Sequence, residues 1–216
     1  ITTGAIGAFT GLLTAGHIVH KVGVKKVFIN ATFLLYLAFV AIVQVHSPTL
    51  FIIFNILIGF GITCIHVSLN AQGFHIQERS GDNIITSTAG YWSAGALATA
   101  IISGAVVDFI GIGVHVGAVS VIAAALSLYL ASKMKSSFVP ANEHPETDYR
   151  VRDIFTSFHL DWPISLGLAS AIYLEFAISD WGTIFTKERL GVSGTLSTLP
   201  YIIFTVFMIA GRLSIH

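Results

Sequence analysis

The chain has 216 residues, 54% of them apolar, and carries only 11 basic and 11 acidic side chains, where an average soluble domain of this length has roughly 54 charges. With a mean hydropathy of +0.82, this composition excludes an ordinary soluble protein; one membrane crossing takes about 20 mainly apolar residues, which leaves room for about six to eight spans and no sizeable soluble domain. The even charge balance speaks against nucleic acid as a partner, and a single cysteine, Cys64 in an apolar run, excludes an intrachain disulfide framework and a cysteine-based zinc site.

The first residue is Ile1 and no charged leader precedes the apolar sequence, so the chain reads as an internal fragment; its end, Gly211 to His216, reads as cut where a helix reaches its polar end. Apolar stretches follow at 1–19, 27–45, 49–72, 85–108, 113–132, 163–184 and 196–213. Each is long enough to cross about 30 Å of hydrocarbon. Short connections without long period-2 alternation favour helices over a barrel. The expectation is an all-α polytopic membrane protein with seven transmembrane helices. Ser47 with Pro48, and Asp161 with Pro163, are placed to cap and start two of them, and Pro200 is expected to kink the last.

Positive side chains are retained on the cytoplasmic side of a membrane. Lys21, Lys25, Lys26, Arg79, Lys133, Lys135, Arg150, Arg152 and Arg212 fall on one side of this segmentation, and only Lys187 and Arg189 on the other. The connections at 20–26, 73–84 and 133–160 are therefore expected inside the cell. The longest, 133–160, holds Pro140, Pro145, Glu143, Glu146, Asp148 and Asp153 and reads as a cytoplasmic linker between bundles at 1–132 and 161–216; its 148–158 part has the composition of a short surface helix as much as of a solvated linker. An offset of 195 aligns Thr3 with Thr198, Phe9 with Phe204, Thr10 with Thr205, Ala15 with Ala210 and Gly16 with Gly211. Both copies run toward the cytoplasm, as in parallel repeats of about six spans each.

After the first span comes Gly16, then His20-Lys21, Gly23 and Lys25-Lys26. This resembles the loop motif between the second and third helices of the Major Facilitator Superfamily, with His20 where the family has an acid and Lys21 where it has arginine. The resemblance implies a partial major-facilitator fold, helices two to eight, with these six residues in a gating loop. A neutral imidazole at 20 does not make the salt bridge of the family's acid. A second resemblance runs from Thr49-Leu50-Phe51 through Gly59-Phe60-Gly61, His66, Asn70 and Glu78-Arg79 to Tyr91-Trp92-Ser93-Ala94-Gly95. It is similar to the fourth and fifth helices of the fucose-permease-like branch, whose intramembrane glutamate, four residues before an asparagine, couples sugar to protons. Here His66 stands in that place, and imidazole as a side-chain class changes charge near neutral pH.

Glu175 falls near the middle of its span, where an unpaired carboxylate is costly, so it must face a cavity or a partner. Asp180 and Trp181 are expected at the outer interface. Trp92, Ala96, Ala100 and Gly104 at helical spacing, and Gly7 with Gly11, read first as packing seams. His17 and His20 lack a third ligand nearby and are not read as a metal site. No cofactor is implied, and no nucleophile–base arrangement points to an enzyme.

The reading that follows is a secondary transporter of a small, sugar-like polar solute, coupled to protons and working by alternating access, with His66, Asn70, Trp92 and Glu175 as binding residues. It implies a multi-pass inner-membrane protein, monomeric at full length. A drug or metabolite exporter of the same superfamily is the alternative, although Gly95 to Gly104 lacks the rest of the antiporter motif. A seven-helix receptor fits the helix count but leaves linker and repeat without a role.

Overall fold

The computed structural model describes residues 2–106, 109–133, 161–192 and 194–214. Every regular element among them is helical: α1 Thr2–Val22, α2 Val24–Ile42, α3 Pro48–Ser80, α4 Ile84–Val106, α5 Ile112–Lys133, α6 Trp162–Phe176, a π turn Ala177–Trp181, α7 Gly182–Leu190, a 3-10 turn Gly194–Thr198 and α8 Leu199–Leu213. Apart from Lys133, the expected linker 133–160 lies outside the described residues, and so do its basic side chains and its 148–158 segment.

Among the described residues six helices are long and apolar enough to cross a membrane, α6 to α7 counting as one of 29 residues. The seventh expected span, α1, has the length at 21 residues but is not among those six. Three local expectations also change. The connection expected at 73–84 is largely helix, because α3 continues to Ser80 and stops only where Gly81 turns left-handed at φ 76° and its N–H donates to the Gln77 carbonyl. Ser47 occupies the N-cap position of α3 without a side-chain cap, whereas the Asp161 carboxylate accepts from the Ile164 N–H at 3.1 Å. Pro200 sits in the first turn of α8, where its missing donor costs nothing, so it starts the helix instead of kinking it.

By contacts the described helices form two units. One comprises α1, α2, α3 and α5; the other comprises α4 with everything from α6 onward. This grouping is not the chain-order division at 133–160, and α4 is the element that differs.

In the first unit α1 and α2 both pack on α3. A β-carbon on Gly7 would overlap the Ile56 carbonyl, one on Gly59 the Gly4 carbonyl, and one on Gly11 would lie 2.9 Å from Thr63 Cβ. These glycines allow two backbones to approach as in membrane helix pairs, so the Gly7–Gly11 seam is real. The buried apolar residues are mostly small, among them Ala15, Ala31, Ala38 and Cys64, while Phe9 and Leu37 point outward. A soluble core buries its large apolar side chains along with the small ones. In lipid the gain comes from close packing, not from removing apolar area from water.

Hydroxyl groups are neutralised locally. Thr10, Thr32, Thr63, Ser93 and Thr205 each donate to the carbonyl four residues back, at 2.7 to 3.0 Å. This is how a polar side chain sits on a helix where water cannot serve it.

Candidate functional site

The second unit carries the charged cluster. From Trp162 to Glu175 is about 20 Å of helix, and from Leu199 to Arg212 also about 20 Å. Glu175 is the fourteenth residue of the span Trp162–Leu190, and Arg212 is the last but one of the span Leu196–Leu213. Arg212 Nη2 lies 3.3 Å from Glu175 Oε2, with the two side chains only 29% and 25% exposed. Nη1 of the same guanidinium donates to the Ser93 hydroxyl and, at 3.5 Å, reaches the Ala89 carbonyl. Its carbon stands 5.9 Å from the Trp92 ring centre, within reach of a cation–π attraction. One guanidinium thus joins α6, α4 and α8.

Local sequence explains how these groups meet. Gly90 removes the side chain that would otherwise strike Leu213, so the end of α8 can lie against α4. Ser93 is fully buried; its hydroxyl donates to the Ala89 carbonyl at 3.0 Å and keeps a lone pair for Arg212. Directly after Glu175 the helix widens into the π turn, and Ser179 donates to the Glu175 carbonyl at 2.7 Å. Single π turns inside α-helices recur at functional positions.

Beside this cluster lies an open groove of about 580 Å³, lined by Trp92, Gly95, Ala96, Thr99, Ala100, Ser103 and Tyr201. Trp92, Ala96 and Ala100 of the expected seam line this groove, and nothing stands within 4 Å of where a Gly95 β-carbon would be. Small side chains here make room. Trp92 and Tyr201 supply aromatic faces, and Thr99 and Ser103 supply hydroxyls.

The residues singled out from sequence are distributed as follows. Trp92 and Glu175 come together around Arg212. His66 and Asn70 lie one turn apart on α3 in the first unit, both exposed. Of the loop motif, Gly23 is the one residue between α1 and α2. It adopts φ 87°, which a side chain would resist, and its N–H donates to the Val19 carbonyl at 2.8 Å. His20 and Lys21 end α1, and Lys25 and Lys26 open α2, so the motif is two helix ends about a single glycine. Gly16 is further back on α1 with open space beside it.

Sequence reasoning missed Arg212, which it counted with the cytoplasmic charges. Among the described residues, no three His, Cys, Asp or Glu side chains gather as metal ligands.

The family model of the Major Facilitator Superfamily matches residues 1–216, the whole chain. An uncharacterised MFS-type transporter of Yersinia pestis is 22% identical over 211 residues, which is 97% of this chain and 53% of that protein. The chain therefore spans about half the length of the curated relative it matches. No solved structure matches it.

Proposed function

This chain belongs to the Major Facilitator Superfamily, and on that premise we propose that it is part of a secondary active transporter of a small, sugar-like polar solute, driven by protons through alternating access. The observation that carries the proposal is the Glu175–Arg212 pair placed against Trp92 at the edge of an open groove with both aromatic and hydroxyl walls. Aromatic faces suit the apolar side of a sugar ring, hydroxyls suit its rim, and an intramembrane ion pair is costly enough to imply a task. Trp92 and Glu175 are assigned to the solute. His66, with Asn70 one turn on, is assigned to the proton, as Glu175 is in the alternative; either group changes charge when it binds one. In this reading residues 1–132 and 161–216 belong to two bundles that rock in turn, with 133–160 as a cytoplasmic linker in the inner membrane. The complete protein acts as a monomer.

The test is uptake of a panel of sugars into proteoliposomes containing the complete natural protein, with and without an inward proton gradient. Proton-driven accumulation of at least one sugar is expected, with loss of accumulation in His66→Ala or Glu175→Gln. Retention in both variants would remove proton coupling by these groups.

A further inference from the structure

We propose that Arg212 is the docking group for a carboxylate on the solute, so that the transported molecule is a sugar acid or a similar hydroxylated carboxylate, and that Glu175 is the internal counter-ion it displaces. This rests on the sugar-transport reading above and narrows it.

Arg212 presents a planar fork in which one nitrogen is committed to Ser93 and the Ala89 carbonyl while the other meets Glu175 through a single contact at 3.3 Å. The first set anchors the guanidinium to α4. The second is long for a charge-assisted bond, whose usual length is about 2.7 to 2.9 Å, and uses one oxygen of the carboxylate where a fork would take two. A ligand carboxylate approaching from the groove can meet the fork more closely. Trp92 belongs to both places: its ring faces the guanidinium and also lines the groove, so a solute resting on that wall has its charged end beside Arg212.

Charge decides the class of anion. Replacing the Glu175 carboxylate by a solute monoanion keeps the site neutral around Arg212, whereas a phosphate dianion adds a negative charge to a low-dielectric region already holding Glu175. A neutral sugar brings no group able to separate the pair. Besides Glu175 and Arg212, the charged side chains on the helices of this unit are Asp180 in the π turn and Lys187, Glu188 and Arg189 on α7.

The measurement is binding of D-glucuronate and of D-glucose, at one fixed pH, to the complete natural protein in detergent, for wild type, Glu175→Gln, Arg212→Gln and the double variant Glu175→Gln with Arg212→Gln. Wild type is expected to prefer glucuronate. Glu175→Gln, which removes the competing carboxylate, should bind it about tenfold more tightly, and both Arg212 variants should lose at least about tenfold. A gain of affinity does not arise from misfolding, and the double variant, with neither charge left unpaired, keeps the test valid if Arg212→Gln alone fails to fold. Glucose bound as well as glucuronate, with no change in Glu175→Gln, would overturn the inference and leave the sugar-transport reading intact. Binding of neither would overturn both.

Discussion

At the residue scale the chain's economy rests on one arginine. Arg212 satisfies a carboxylate, a hydroxyl and a carbonyl at once, so removing it leaves Glu175 partly buried without its cation. Arg212→Ala is expected to lower the thermal unfolding midpoint in detergent more than the double variant with Glu175→Gln does. In a double-mutant cycle the pair should show a coupling of about 1–2 kcal/mol. Additive effects would mean that the contact holds nothing together. Sequence foretold half of this: a carboxylate well inside a span demands a partner on solvation grounds alone. It did not name the partner, since that requires knowing that α8 lies against α4, which Gly90 and Leu213 settle through space.

At the scale of elements, glycine does different work in different helices, and the composition does not distinguish them. Gly7 and Gly59 hold α1 against α3 at backbone contact, while Gly117 on α5 has nothing within 4 Å of a β-carbon. Gly7→Ala and Gly59→Ala should each destabilise the folded protein by about 1–3 kcal/mol, the cost of overpacking. Gly117→Ala should be neutral or stabilise by about 0.5–1 kcal/mol, because alanine has less backbone freedom to lose. Thermal unfolding of the three variants in one detergent checks the ranking, and equal losses would refute the seam. The repeat has a structural echo here: Thr10 and Thr205, aligned by the offset of 195, both donate to the carbonyl four residues back. The same offset places His17 opposite Arg212, so the copies share a helix pattern but not the charge that builds the site.

For the whole molecule, the orientation read from the charges leads to a direct measurement. With Arg212 engaged by Glu175 and left out of the count, eight basic residues remain on the side of 20–26, 73–84 and 133–160, against Lys187 and Arg189 on the other, so the asymmetry does not depend on it. In a Cys64→Ala background, Ser47→Cys is expected to react with a membrane-impermeant maleimide in intact cells, and Ser80→Cys only after permeabilisation. The opposite pattern would invert the topology.

Helical, membrane-crossing architecture was legible from the sequence alone because lipid leaves the backbone few alternatives: runs of about 20 apolar residues must become helices that satisfy their own hydrogen bonds. The family motif around Gly23 and the isolated Glu175 were legible for related reasons, one through a left-handed turn that glycine favours, the other through the cost of a lone charge. Tertiary structure decided which helices touch, that a tryptophan–alanine stripe lines an open groove, and that Arg212 belongs to a partly buried pair. Apolar helices all carry similar faces, and in lipid no hydrophobic force selects among them. Their partners are chosen by the fit of small residues and by single polar contacts, which depend on positions far apart in the chain.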